Sequence, residues 1–176
     1  MDERIIDRVL EGDRKAFAML VSAYEKPVYN VAYRILHHPE DAADATQSTF
    51  LKAYQKLETF DRERRFFSWL YRIAINEAIN LRRGRRPGAE AALDLPSAGP
   101  SPEDDYELTE LCEALERALS GMSLEHRVVV ILKHLLALSY AEIAEILEIP
   151  EKTVKSRLYE GRQALKSRLV AQGYVG

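Results

Sequence analysis

Two stretches of this 176-residue chain carry side chains whose types and spacing suit the gripping of a nucleic acid. In TFDRERRFFSWLYRIAINEAINLRRGRR, residues 59–86, Phe60, Phe66, Phe67 and Tyr71 crowd with arginines around a loop and a helix start, and Asn76 and Asn80 follow one turn apart. Aromatic rings give unstacked bases a surface, guanidinium groups hold the backbone, and carboxamides read base edges, so the mixture suits single-stranded DNA better than duplex. A core aromatic cluster with a basic rim explains the same residues, and this stretch alone leaves both readings open.

The second stretch is LSYAEIAEILEIPEKTVKSRLYEGRQALKSRL, residues 138–169. Ser139 and Glu142 form a capping-box pair that starts a helix, and Glu148-Ile149-Pro150 ends it, since proline cannot continue a helix but can begin the next. In the following helix Val154, Leu158, Gly161 and Leu165 are spaced 4, 3 and 4, one stripe that can pack against the first helix. Lys152, Lys155, Ser156, Tyr159 and Gln163 fall on the opposite side. A short apolar helix, a tight corner and a longer basic helix make a helix-turn-helix, whose second helix lies in the DNA major groove. An ordinary helical hairpin with a solvated basic face is the competing reading.

The elements that position these stretches repeat at three or four residues, with little alternation at two, so an all-α fold is expected. Residues 2–11 read as an amphipathic helix with Ile5, Ile6, Val9 and Leu10 inward, ended by Gly12-Asp13, which caps the next. From Lys15 the apolar positions run past Pro27 to Ile35, one long helix kinked at the proline or two nearly in line. His37-His38-Pro39 breaks it. In the helix after this corner Ala43, Thr46, Phe50, Ala53, Tyr54 and Leu57 can face the core, leaving Asp44, Gln47, Ser48 and Lys52 on other faces. Ser68 is expected to cap the next helix, with Trp69, Leu70, Ile73 and Leu81 as its buried stripe.

Residues 84–105 hold four prolines and three glycines without periodicity, the composition of a linker. Beyond it Leu108, Leu111, Leu115 and Leu119 mark a helix with Cys112 beside its stripe, and Ser123 caps another that runs to Leu135. The expected organisation is a first helical domain over 1–86, a flexible acidic linker over 87–106 and a second helical domain over 107–172.

Net charge is only −3, yet its distribution is uneven. Residues 62–86 carry eight Arg against two Glu, residues 151–168 carry six cations against two Glu, and residues 88–120 carry nine acids against Arg117. Local potential, not net charge, meets phosphate. A single cysteine excludes an internal disulfide or a cysteine-built zinc site, and the adjacent His37 and His38 offer no shared coordination face. No glycine-rich loop, ligand spacing or nucleophile motif supports a hydrolase or transferase, so no catalytic residue, cofactor or metal is expected. The charged start MDERIIDRVLEGDRK is unlike a signal peptide and no apolar run is long enough to span a membrane, which favours the cytoplasm.

DAADATQSTFLKAYQKLETF and FFSWLYRIAINEAINLRR in the first half, with LSYAEIAEILEIPEKTVKSRLYEGRQAL in the second, resemble bacterial sigma factors of the extracytoplasmic-function (ECF) type, sigma-E-like members of the sigma-70 family that keep only regions 2 and 4. The resemblance covers nearly the whole chain. It implies that Asp44, Gln47, Phe50 and Leu51 dock on the clamp helices of the largest subunit of core RNA polymerase. It implies that Phe60, Phe66, Phe67, Trp69, Tyr71, Arg72, Asn76 and Asn80 capture and hold non-template DNA of the minus 10 element. Lys152, Thr153, Lys155, Ser156, Arg157, Tyr159, Glu160 and Arg162 are then the minus 35 contacts, with Thr153, Arg157 and Arg162 on phosphates. An anti-sigma factor is the implied inhibitor.

Two positions depart from the family's habit. Glu160 stands where a basic residue is frequent and would more naturally accept from cytosine than contact guanine. Ser123 stands where proline often precedes the helix. The rival from another class is an autonomous helix-turn-helix regulator with a ligand-sensing first half, which predicts dimeric binding to duplex DNA without polymerase.

Overall fold

A computed structural model describes residues 2–84 and 105–174. Among them are eight α-helices, one 3-10 turn and no strand. The chain divides into two compact units, one built on α1 (Asp2–Leu10), α2 (Arg14–Leu36), α3 (Pro39–Lys56) and α4 (Phe66–Gly84), the other on α5 (Asp105–Ser120), α6 (Leu124–His134), α7 (Tyr140–Leu147) as far as Ala144, and α8 (Glu151–Ala171). Most of the proline- and glycine-rich stretch, and with it most of the expected linker, lies outside the described residues, as does the side chain of Leu108.

In the first unit, α2, α3 and α4 pack on one another with α1 against α2. Asp13 caps α2 as its spacing implies: its carboxylate accepts from the Lys15 and Ala16 amides at 3.1 and 3.3 Å and from Arg8 at 2.7 Å. The Arg8 guanidinium holds that carboxyl below its ordinary range. α2 continues through Pro27 as a single helix and ends at His37 in the left-handed region (φ 51°). His38 then starts α3 by accepting from the Asp41 amide. The buried face of α3 is Ala42, Ala45, Thr46, Thr49, Phe50 and Ala53, closed by Leu57 in the 3-10 turn Leu57–Thr59. Thr46 and Thr49 satisfy their hydroxyls on the carbonyls one turn back.

Several expected faces rotate. Ala43 and Tyr54 are exposed, because small Ala42 and Ala45 let α3 lie close to its neighbours, a packing preference that periodicity does not encode. α4 begins at Phe66, so Ser68 is no cap and is buried within the first turn. The buried stripe of α4 is Phe66, Leu70, Tyr71, Ala74, Ile75 and Ala78, with Trp69 and Ile73 half-buried and Leu81 exposed. Val9 is half-buried and Leu10 exposed at the frayed end of α1.

In the second unit α8 packs on α6 and α5. Val154, Leu158 and Gly161 are buried and Leu165 is half-buried, so the stripe is as spaced, but its chief partner is α6, not α7. Cys112 is exposed on α5, whereas Ala114, Ala118 and Leu119 are buried. Arg127, in α6, is fully buried and donates to the carbonyls of Ser120 and, at 3.1 Å, Met122.

Candidate nucleic-acid interface

Helix α4 sets Trp69, Arg72, Asn76, Asn80 and Arg83 at steps of 3, 4, 4 and 3, one stripe opposite the buried face. Asn76, Asn80 and Arg83 are exposed, and Trp69 and Arg72 are half-buried at the end nearest the loop. A ring, a guanidinium and two carboxamides therefore follow one another along some three turns of helix. Just beside them Lys52 of α3 meets Glu77 at 2.5 Å, which ties α3 to α4.

The other aromatic residues occupy different ground. Phe60, Phe66 and Tyr71 are buried. Phe60 lies 5.2 Å from Trp69 and 5.7 Å from Phe66, which in turn meets Tyr24 at 5.7 Å, all between ring centroids. Burial pushes the Tyr71 hydroxyl up to about 12, so it stays protonated. Phe60 and Phe66 form the floor beneath Trp69, and Tyr71 meets Phe67 at 6.3 Å; being buried, the three offer no broad face to a base. Phe67, half-buried, has the Arg65 guanidinium 6.0 Å over its ring. In the loop before α4, Arg62 pairs with Asp7 and Arg64 reaches Asp61 at 3.4 Å, both arginines more than half exposed.

On α3, Asp44, Gln47 and Leu51 share an exposed stripe at i, i+3 and i+7, and Leu51 is 58% exposed. Phe50, beside them, is buried at the base of a groove lined by Lys26 and Tyr29 of α2 with Asp44 and Gln47 of α3. An exposed leucine thus stands flanked by an acid and an amide, above this groove.

The second unit presents the helix-turn-helix. Ser139 and Glu142 make the reciprocal capping box, with both backbone amides engaged. Glu148 (φ 53°) turns the chain in the left-handed region and Pro150 precedes α8. Lys152, Lys155, Ser156, Tyr159, Glu160 and Arg162 are exposed on α8, Tyr159 by 66%, while Thr153 and Arg157 are half-buried at its flank. All eight expected minus 35 residues thus lie off the packed stripe of one helix. Lys155 and Lys133 hold their ammonium groups 5.6 and 5.0 Å from the Tyr140 ring centroid, a cation-π pairing that brings a second lysine to this corner.

Three groups here had no signal in the one-dimensional pattern. Glu125 meets Arg157 at 2.7 Å, His126 Nε2 lies 3.1 Å from Glu160, and His134 accepts from Arg162 Nε at 3.3 Å. Each comes from α6, some 28 to 34 residues away, and only the α6–α8 packing joins them. Burial, then the nearby Arg162 and Lys133, lowers the His134 pKa. Among the described residues no three His, Cys, Asp or Glu side chains group to hold a metal ion, and no helix is long and apolar enough to cross a membrane.

The Sigma-70 region 2 model matches residues 20–87 and the Sigma-70, region 4 model matches residues 112–165. The ECF RNA polymerase sigma factor SigW of Bacillus subtilis (strain 168) is 36% identical across 96% of this chain and 97% of its own length. The ECF RNA polymerase sigma-E factor of Haemophilus influenzae is 33% identical across 96% and 95%. Among solved structures, CnrH in complex with the cytosolic domain of CnrY aligns with a TM-score of 0.74 at 26% identity, covering 97% of both chains. With both region models matched in order and relatives aligned nearly end to end, the chain belongs to the ECF RNA polymerase sigma factors of the sigma-70 family.

Proposed function

We propose that this chain binds core RNA polymerase, carries it to a set of promoters in the cytoplasm and starts promoter-specific transcription, contributing binding and strand capture but no catalysis of its own. The domain over 1–86 docks through Asp44, Gln47, Phe50 and Leu51 on the clamp helices of the largest subunit and handles the minus 10 element. The domain over 107–172 reads the minus 35 element through α8, and residues 87–106 tether the two. An anti-sigma factor covering these surfaces is the proposed inhibitor.

The observation that carries this reading is the α4 stripe. A half-buried tryptophan followed by Arg72, Asn76 and Asn80 fits a displaced single strand, a role that an autonomous duplex-binding regulator does not need. Unpairing a base costs a few kcal/mol, and stacking returns ~1–3 kcal/mol per base, so capture alone does not open DNA and the polymerase must supply the rest. Trp69 and Phe67 give the accessible ring edges; Phe60 and Phe66 support Trp69 from beneath, and Tyr71 supports Phe67.

Run-off transcription with purified core polymerase on a promoter library tests the proposal. Transcripts that start at a shared pair of elements, and only when the chain is added, are expected. A chain that regulates a gene with no affinity for core polymerase overturns it.

A further inference from the structure

Glu160 is the one carboxylate in the middle of the outward face of α8, with its side chain 61% exposed. Unpartnered, it would repel the phosphates that Lys152, Lys155 and Arg162 attract. A partner comes from α6: His126 Nε2 stands 3.1 Å from Glu160 Oε2. The residue before it, Glu125, takes Arg157 at 2.7 Å, so the first turn of α6 holds two neighbouring side chains of α8. This reach depends on Gly161, the next residue along α8. A β-carbon there would stand 3.2 Å from the His126 carbonyl oxygen, and its lack lets α6 approach.

We propose that His126 is a specificity-determining positioning residue: by engaging one oxygen of Glu160 it fixes the carboxylate so that the other accepts from a cytosine amino group in the major groove. The proposal rests on α8 being the minus 35 reader. A contact this exposed contributes little to stability, so its effect lies in geometry. A carboxylate free to swing would lose side-chain entropy on reaching the base edge; one already held by an imidazole loses less. The major-groove amino group of cytosine is the donor a carboxylate matches, whereas guanine presents two acceptors there. Base choice at this position is therefore set by two residues on two helices, one of which does not touch DNA.

Promoters randomised across the minus 35 element are selected with core polymerase and the full chain, as wild type and as Glu160→Gln, His126→Ala, His126→Gln and Lys155→Ala, with thermal unfolding of each variant. Wild type should prefer cytosine at one position by about tenfold. Glu160→Gln and His126→Ala should both cut that preference to about threefold or less, with unfolding temperatures near wild type. His126→Gln, whose amide can still donate to Glu160, should keep most of it. If His126→Ala unfolds, His126→Asn, too short to reach Glu160, takes its place. A cytosine preference that survives loss of His126, or none in wild type that Glu160→Gln reduces, overturns the proposal while Lys155→Ala still changes selection elsewhere. Unchanged selection by Lys155→Ala removes the minus 35 reading itself, and this inference with it.

Discussion

Gly161 of α8 lies so near Val130 of α6 that a β-carbon at position 161 would come within 2.9 Å of Val130 Cγ2. A valine methyl in a packed interface cannot swing aside as the end of a long chain can, so the distance between the two helices is set by the missing side chain.

Gly161→Ala is therefore expected to destabilise the second unit although alanine is the better helix former. The propensity gain is ~1 kcal/mol and overpacking costs ~1–3 kcal/mol, so a net loss of up to ~2 kcal/mol should appear as a lowered unfolding temperature in calorimetry. A raised one would show that α6 and α8 separate without cost.

Ser68→Ala distinguishes a cap from a core position. A helix cap would lose ~0.5–2 kcal/mol on this change. The Ser68 hydroxyl is instead buried with no hydrogen-bond partner among the described residues, so its removal should leave stability unchanged or slightly raised in a urea titration.

Trp69→Ala and Asn76→Ala should spare assembly with core polymerase and impair promoter opening. Permanganate reactivity of promoter thymines is the readout, with a loss of ~1–3 kcal/mol of capture energy expected for the tryptophan. Full reactivity in both variants would move strand capture away from the α4 stripe.

Asp44→Arg reverses a charge on the exposed α3 stripe without touching its buried face. Co-purification with core polymerase should be abolished; normal recovery of the complex would count against this contact.

The lowered pKa of His134 carries a sign. Its folded pKa is below the unfolded value, so the unfolded chain takes up the proton first as pH falls, and stability present above the ordinary imidazole range is lost on acidification through it. His134→Gln should flatten that acid-side fall in thermal melts between neutral and mildly acidic pH. Arg162 and Lys133 disfavour the proton, so their neutral replacements should flatten it in part.

The capping box at Ser139, the Asp13 cap and the Val154–Leu158–Gly161 stripe were legible because they are local: each depends on residues within a turn or two. Ser68 misleads for the same reason. A serine before a helical run resembles a cap, but the Phe60–Phe66–Trp69 aromatic packing draws the helix start back to Phe66. The α4 stripe was partly legible, since Asn76 and Asn80 stand out as a pair, while Trp69 reads as core until its exposed edge is seen. His126 and Glu160 are 34 residues apart and no periodicity relates them. Only the crossing at Gly161 does.

The guanidinium of Arg127 is threaded inside the second unit and bonded to the carbonyls that end α5 and begin the turn to α6. Pulling that corner open strands a buried cation, a penalty of several kcal/mol, so local fraying between Ser120 and Arg127 is suppressed. In hydrogen–deuterium exchange the Gly121 and Met122 amides, which donate to the Arg117 and Leu119 carbonyls, should exchange together with the apolar run Val128–Leu132, making a surface bend open only when its half of the protein does.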